Sequence, residues 1–184
     1  MRVVAGSARG TVLRVPRSEV RPTMEVVKSA IFSALGESIN GARVLDLFAG
    51  SGALGIEALS RGAAHVTFVE KAPEAITTIR QNLLKTRFIA EVLESDIFSY
   101  LDRRGPVAEF DFIFADPPYA KRPGERDFAT ELLANPAIPR ALASGGVFVL
   151  EHLPRVELPL CPPWVCTRDK SYGATAVAFL MLPA

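Results

Sequence analysis

The stretch ARVLDLFAGSGALGIEALS, residues 42–60, decides the fold. It opens with an apolar, β-prone run, Ala42–Phe48, and closes with a run of helical spacing, Ala53–Ser60. Gly50, Gly52 and Gly55 spell G-x-G-x-x-G, in which glycine permits a tight turn and close approach of a ligand to the backbone. The helix that follows presents free N–H groups at its start. By itself the pattern is typical of an NAD loop, of another nucleotide loop, or of a plain tight turn.

Strands and helices alternate along the rest of the chain. Apolar runs predict further strands, at His65–Val69, Ala90–Leu93, Phe110–Ala115, Val147–Leu150 and Thr175–Leu182. Helical spacing predicts a helix from Thr23 to Gly36, one over Pro73–Lys85, a short one after residue 93, and a broken one over Glu131–Ala143. This alternation predicts one α/β domain, residues 1–184, built on a doubly wound sheet. In such sheets, ligands bind beyond the carboxyl ends of the strands.

Composition excludes several classes of protein. Of 184 residues, 49% are hydrophobic and 22% are charged, which excludes a disordered chain. Cys161 and Cys166 are too few for a disulfide framework, so we expect free thiols in a reducing compartment. No apolar run approaches the ~18 residues that a membrane span needs, and the start of the sequence lacks the apolar core of a signal peptide. We therefore expect a cytoplasmic protein.

The basic residues are concentrated in the head of the chain. Residues 1–28 carry a net charge of +4, whereas the remainder carries −3, within a total of +1. Two β-prone runs, Arg2–Ala5 and Thr11–Val15, flank a Gly/Ser-rich segment, so we predict a basic hairpin extension over residues 1–22. A basic head on a slightly acidic body suggests a polyanionic partner. A solvated, arginine-flanked hairpin is the alternative interpretation.

Acidic residues follow two successive strands. Glu70 ends the second strand, where a carboxylate can accept both hydroxyls of a ribose. Asp96 follows the third, where it can accept a hydrogen bond from an adenine amino group while Ile97 contacts the ring. Both have structural alternatives, since an acid at the start of a helix stabilises its dipole and an aspartate commonly caps one.

The most specific motif is Asp116-Pro117-Pro118-Tyr119, directly after the strand Phe110–Ala115. The two prolines stiffen the turn and have no N–H, so the turn presents carbonyl oxygens. A carboxylate and a carbonyl together can accept both hydrogens of an amino group, and the tyrosine ring offers a stacking face. This combination suits a planar base with an exocyclic amine.

Together these motifs resemble a known family. Residues 44–63, VLDLFAGSGALGIEALSRGA, and the Asp-Pro-Pro-Tyr element resemble the class I S-adenosylmethionine-dependent amino methyltransferases. With the head sequence RVVAGSARG at 2–10 and Arg21-Pro22-Thr23, the chain is similar over nearly its whole length to the bacterial small-subunit (16S) ribosomal RNA guanine-N2 methyltransferases. The Asp-Pro-Pro-Tyr element is less specific, because adenine-N6 and cytosine-N4 enzymes share it.

The resemblance implies a Rossmann-like methyltransferase sheet with an antiparallel last strand, S-adenosylmethionine as cofactor, and no metal. It implies ribosomal RNA as partner, in a small subunit or assembly intermediate, and monomer is the default state. The implied cofactor residues are Asp46, Phe48, Ala49, Gly50, Ser51, Gly52, Glu70, Lys71, Asp96 and Ile97. The implied catalytic and base-binding residues are Asp116, Pro117, Pro118 and Tyr119, and the implied RNA contacts are Arg2, Arg9, Arg14, Arg21 and Lys28.

Three other functions explain parts of the sequence. An NAD-dependent oxidoreductase explains the glycine loop and Glu70 but not the Asp-Pro-Pro-Tyr element. A DNA amino methyltransferase fits the chemistry, but such enzymes usually carry a target-recognition insertion for which this chain has no room. A non-enzymatic RNA-binding module explains only the head. His65 and His152 are isolated in the sequence, without metal-ligand spacing or a neighbouring nucleophile. We expect His65 at a strand edge and His152 at the surface; since His152 follows a strand end, a position lining the cleft is the alternative.

Overall fold

The computed structural model describes residues 1–15, 24–104, 107–120, 122 and 124–183. Its strands are β1 Arg43–Leu47, β2 His65–Glu70, β3 Glu91–Glu94, β4 Phe110–Ala115, β5 Leu142–His152, β6 Val165–Tyr172 and β7 Thr175–Met181. Its helices are α1 Met24–Leu35, α2 Ala53–Ser60, α3 Pro73–Thr86, α4 Ile97–Arg104, α5 Phe128–Ala134 and α6 Ala137–Ala141, with a 3₁₀ turn at Gly36–Ile39. None of the helices within these ranges is both long enough and apolar enough to cross a membrane.

The strands form one seven-stranded sheet in the order β3-β2-β1-β4-β5-β7-β6. Strands β1 to β5 run parallel, and β7 lies antiparallel between β5 and β6. The predicted doubly wound sheet with an antiparallel last strand is thus confirmed. Because the order reverses between β1 and β4, a crevice opens at the carboxyl ends of these two strands.

Helices cover both faces of the sheet. On one face, α1, α2 and α3 bury Ile31, Ile56 and Ile79 against sheet residues such as Val44 and Phe68. On the other face, α4, α5 and α6 form a second apolar layer around side chains including Leu45, Ile113, Phe148, Leu101, Leu132 and Ile138. Consecutive β1 residues therefore enter different layers, as the two-residue period of a strand requires, and both faces of the central strands are buried.

Two predicted elements have the observed bounds, whereas the bounds predicted around α5, α6 and β5 are wrong. The helix Ala53–Ser60 and the strand Phe110–Ala115 form as predicted. The broken helix predicted to end at Ala143 ends earlier, at Ala141, and a strand begins at Leu142. Leu142 pairs with Phe110, and the register of β4 and β5 then shifts before the next paired residues. Gly145, whose backbone is left-handed with φ 73°, lies within this irregular stretch. The stretch has no continuous apolar run, so the sequence pattern did not predict that β5 begins before Val147.

Strand β6 was not predicted from the sequence. Its residues are mostly exposed, because it is an edge strand bonded on one side only, to β7. The segment contains Arg168, Asp169 and Lys170 and so lacks the apolar alternation that identifies a half-buried strand. Strand β6 is therefore held by its backbone pairing with β7 and not by burial of its own side chains.

The head forms the predicted hairpin, in a short version. Arg2 and Val12 make one antiparallel bridge, and Val3 donates to the Thr11 carbonyl at 3.0 Å. Val3 and Leu13 are buried in the same apolar layer as the inner residues of α1, α2 and α3. The part of the predicted extension from residue 16 to 22 lies outside the described residues.

Candidate functional site

A cavity of about 310 Å³ lies at the carboxyl ends of the parallel strands. The glycine loop and Glu70 line its β1–β2 side. Its β4–β5–β7 side is formed by Asp116, Pro118, Glu151 and Thr175. The remaining wall comes from the head and α1, through Met1, Met24, Val27 and Lys28. The cavity therefore joins the two motifs that the sequence singled out, and it lies at the predicted crevice.

The three glycines of the loop serve two physical purposes. Gly50 and Gly52 have left-handed backbones, with φ of 52° and 76°, which residues with a side chain adopt at a cost. Gly55 instead permits close packing, because a Cβ there would lie 2.3 Å from Cε1 of Phe68 on β2. The loop thus turns sharply and seats α2 directly on the sheet.

Glu70 holds the loop from the neighbouring strand. Its Oε2 accepts from the Gly50 N–H at 2.9 Å, and its Oε1 accepts from the N–H groups of Lys71 and Ala72 at 2.8 and 2.9 Å. The carboxylate lines the cavity as expected, whereas Lys71 is exposed on the turn that follows. A ribose contact by Glu70 stays a prediction.

Asp96 and Ile97 do not line the cavity. Asp96 Oδ1 accepts from the N–H groups of Phe98 and Ser99 at 3.1 and 3.2 Å, so the carboxylate caps α4. Ile97 is buried in the second apolar layer. The structural alternative for Asp96, a helix cap, is therefore the arrangement observed, and Ile97 packs in the core. Contacts of either residue with an adenine stay a prediction.

An aromatic cluster that the sequence reasoning missed adjoins the loop. The ring of Phe48 lies edge-on to Phe128 at 5.4 Å, and Phe128 stacks with Phe98 at 6.3 Å between ring centroids. The guanidinium of Arg126 lies over both Phe98 and Phe128, at 4.7 and 4.6 Å from their centroids. The cluster extends an apolar surface from the glycine loop toward α4 and α5.

The Asp-Pro-Pro-Tyr turn separates two cavities. Asp116 and Pro118 line the larger cavity, while Pro117, Pro118 and Tyr119 line a smaller one of about 120 Å³. The Tyr119 hydroxyl is hydrogen-bonded to Thr175 Oγ1 at the start of β7, which fixes the orientation of the ring. The rigid turn, the carboxylate and the oriented ring are thus placed side by side, as the motif predicted.

The larger cavity is rich in carboxyl groups. Asp46, Glu70, Asp116 and Glu151 all line it. The pKa of Asp46 is raised to about 8, mainly by burial and also by the nearby carboxylates of Asp116 and Glu70; the N–H of Gly55, which donates to it at 2.9 Å, opposes the rise. Such a cavity attracts a ligand that carries positive charge and disfavours a pyrophosphate. A sulfonium with an ammonium group fits these residues.

The structure corrects one expected RNA contact. Lys28 is 2% exposed, its Nζ lies 3.1 Å from Glu57 Oε2, and it donates to the Arg2 carbonyl at 2.6 Å. Burial lowers its pKa, although Glu57 opposes the change. Because both its charge and its donors face protein groups, Lys28 fastens α1 to α2 and the head and does not face RNA.

The arginines of the head lie differently. Arg2, Arg9 and Arg14 are exposed, and Arg14 Nη1 donates to Gln81 Oε1 at 2.7 Å. The hairpin tip near Arg9 rests beside Ser60, at the end of α2 that is remote from the glycine loop. Arg21, also expected to contact RNA, lies outside the described residues.

Comparison with known proteins identifies the family. A family model described as conserved hypothetical protein 95 matches residues 1–181. The chain belongs to this family. The match spans both the glycine loop and the Asp-Pro-Pro-Tyr turn, so the residues that form the cavity lie inside the conserved hypothetical protein 95 region.

Two relatives and two solved structures illustrate the similarity. A Bacillus subtilis protein, provisionally named rRNA methyltransferase YlbH, is 40% identical over 97% of each chain. Ribosomal RNA small subunit methyltransferase D of Escherichia coli is 35% identical over 96% of this chain and 87% of its own. An E. coli structure provisionally titled methyltransferase yhhF superposes with a TM-score of 0.82 and 31% identity, covering 99% and 97% of the two chains. Thermus thermophilus RsmC, titled a 16S rRNA N2 guanine methyltransferase in complex with AdoMet and guanosine, gives a TM-score of 0.70 and 26% identity over 91% of this chain and 44% of its own.

Three residues of the site were missed or misplaced by the sequence reasoning. Glu151 and Thr175 line the larger cavity, yet they come from strands that only the fold brings beside β4. The expected surface position of His152 is wrong, and its alternative, a position lining a cavity, is the one observed: His152 is buried at the end of β5, lines the smaller cavity, and lies 3.1 Å from Asp169 through Nε2. In the part of the chain that the structure describes, no three His, Cys, Asp or Glu side chains are grouped to hold a metal.

Proposed function

We propose that this protein transfers a methyl group from S-adenosylmethionine to the exocyclic N2 of a guanine in small-subunit ribosomal RNA. The observation that carries the proposal is the cavity in which the glycine loop and Glu70 face the Asp116–Pro118 turn. One side fits a nucleoside cofactor, and the other fits a planar base with an amino group.

Three further observations support this assignment. The cavity is lined by carboxyl groups, which suits a sulfonium cofactor. The E. coli relative is named for methylation of small-subunit ribosomal RNA. The structure of RsmC, which has a similar fold, is a complex with AdoMet and guanosine, the two ligand classes proposed for this cavity.

On the cofactor side, the backbone of residues 48–52 lies where it can bind the methionine part of S-adenosylmethionine. Glu70, which lines the cavity, accepts from the ribose, and the Phe48–Phe98–Phe128 cluster offers an apolar surface to the adenine. Asp46 lies beneath the loop and adds negative charge under a cationic ligand when it ionises. When bound, S-adenosylmethionine supplies an already activated methyl group, so alignment is the main task of the protein.

On the base side, the carboxylate of Asp116 and the carbonyl of Pro117 accept the two hydrogens of the exocyclic amine. These contacts favour a pyramidal nitrogen and stabilise the positive charge that develops as it attacks. The proton is then lost to Asp116 or to water. The Tyr119 ring, oriented by Thr175, holds the base after it is unstacked from its neighbours in the RNA.

The basic head extends the substrate site. Arg2, Arg9 and Arg14 present exposed positive charge on the head, outside the acidic cavity, so the head offers a surface suited to phosphates. We propose that the protein acts as a cytoplasmic monomer on RNA within a small ribosomal subunit or an assembly intermediate.

Methyl transfer from labelled S-adenosylmethionine tests the proposal directly. The substrates are undermethylated small subunits, the naked ribosomal RNA and duplex DNA, each digested to nucleosides after reaction. We expect labelled N2-methylguanosine from the subunit or from its RNA. Methyladenine or methylcytosine in DNA would instead favour a DNA amino methyltransferase, and no transfer together with no cofactor binding would overturn the assignment.

A further inference from the structure

In the proposed function, the Asp-Pro-Pro-Tyr turn accepts hydrogen bonds from an exocyclic amino group, and both adenine and guanine carry such a group. The choice of guanine therefore needs a second group in the same cavity. We propose that Glu151 is this specificity-determining residue and that its carboxylate accepts a hydrogen bond from guanine N1–H. The inference rests on the proposed function and names how the same site selects its base.

The sheet places Glu151 beside Asp116. Ala115 of β4 and Leu150 of β5 are in register, and Asp116 and Glu151 directly follow these two residues. Neighbouring strands lie about 4.8 Å apart, so Asp116 and Glu151 follow one another across adjacent strands at the cavity wall. Glu151 is 8% exposed, and it lines the cavity together with Asp116 and Pro118.

A shared hydroxyl ties Glu151 to the stacking ring. Thr175 Oγ1 lies 3.4 Å from Glu151 Oε2 and is also hydrogen-bonded to the Tyr119 hydroxyl. Both contacts are satisfied when Tyr119 donates to Thr175 and Thr175 donates to Glu151. The ring that would stack on the base and the carboxylate that would read its edge are thus held in a fixed relation.

The chemistry of the two purines then gives the selection. On its Watson–Crick edge guanine carries the N1–H donor next to the N2 amine, whereas adenine carries a bare N1 lone pair next to its N6 amine. With the amine held at Asp116, N1 faces the neighbouring position. A carboxylate only accepts hydrogen bonds, so Glu151 binds guanine there and repels the lone pair of adenine.

The test compares guanine with 2-aminopurine at the methylated position of a ligated ribosomal RNA. This analogue keeps the 2-amino group but presents a lone pair at N1. We expect wild-type protein to prefer guanine by at least tenfold in kcat/KM. In Glu151→Gln, whose amide can donate to N1, we expect this preference to fall by about tenfold or more, with S-adenosylmethionine affinity within about twofold of wild type.

Controls separate the possible failures. Glu109→Gln removes an exposed carboxylate outside the cavity and should leave the preference unchanged. An equal loss on both bases in Glu151→Gln, or no preference in the wild type, would overturn the role of Glu151. If Glu151→Gln does not fold, Thr175→Val takes its place, and an unchanged preference there would overturn the inference. Absence of any N2-methylguanosine from wild-type protein would instead refute the proposed function.

Discussion

At the scale of single residues, Asp116 lies at the cavity wall opposite the glycine loop, and the proposed function assigns its carboxylate to the attacking nitrogen. Asp116→Ala should lower methyl transfer by about a hundredfold or more, because in the proposed function the carboxylate that it removes stabilises the transition state. Binding of S-adenosylmethionine should be largely spared, since Asp116 lies on the base side. Labelled methyl transfer and calorimetric titration measure the two effects separately.

Asp111→Ala is the matched control for that substitution. Asp111 lies on the same strand at its opposite end, is partly exposed, and pairs with Arg43 at 3.6 Å. Its loss should leave transfer near the wild-type rate. If Asp116→Ala abolished cofactor binding while the protein remained folded, the division into a cofactor side and a base side would be wrong.

The raised pKa of Asp46 predicts that the free energy of unfolding depends on pH. Its pKa is raised from 3.8 to about 8, first by burial, so the folded state holds a proton that the unfolded state releases at lower pH. The group therefore contributes stability that is fully present below about pH 4 and is lost as the pH rises toward 8. Asp46→Asn mimics the protonated carboxyl and should flatten the fall in unfolding free energy between pH 5 and pH 8, measured in urea. Parallel curves for the two proteins would contradict the raised pKa.

At the scale of elements, Glu57 of α2 fastens three segments to one another. It is fully buried and accepts from the N–H groups of Val4 and Ala5 at 2.7 and 3.0 Å. It also binds Lys28 of α1 at 3.1 Å and Arg61 at 2.9 Å. Since α2 begins at the glycine loop, the same carboxylate connects the head, α1 and the cofactor side of the cavity.

Glu57→Gln tests this connection. The substitution leaves the buried cation of Lys28 without its counter-charge, and loss of one partner of a buried pair costs about 3–5 kcal/mol. Urea unfolding at pH 7 should show a loss of that order. Glu131→Gln, which breaks the exposed pair of Glu131 with Arg126 at 2.7 Å, should cost below about 1 kcal/mol. Similar losses in the two variants would mean that Glu57 is not the connection described.

The helices and strands also differ in how well the sequence predicts them. Periodicity predicts α2 because a helix that buries one stripe has apolar residues at helical spacing. It predicts β4 because a strand buried on both faces is a near-continuous apolar run. It misses β6, which is held by backbone pairing at the sheet edge. It misreads Lys28, whose partner Glu57 is distant in the chain, and it omits Glu151 and Thr175, which become neighbours of Asp116 only when β5 and β7 join the sheet. Local motifs were thus predictable, whereas long-range partners were not.

At the scale of the whole molecule, negative and positive charge lie on different surfaces. The cavity is lined by carboxyl groups, while the head presents exposed arginines on the outside. An acidic cavity suits a cationic cofactor but repels a phosphate backbone, so the affinity for RNA must come from another surface. In the described part of the chain, the head supplies such a surface, and Glu57 fixes it to α2.

This division predicts how salt affects RNA binding. Replacing Arg2, Arg9 and Arg14 together by glutamine should weaken RNA binding and reduce the slope of log affinity against log salt by about 0.7–0.9 for each phosphate that the head no longer neutralises. The affinity for S-adenosylmethionine should not change, because none of the three lines the cavity. Fluorescence anisotropy over a salt series measures the slope. The matched control replaces Arg140, Arg168 and Lys170, which are exposed and carry equal charge away from the head. An equal change of slope in both triple variants would mean that net charge alone, rather than the head, binds the RNA.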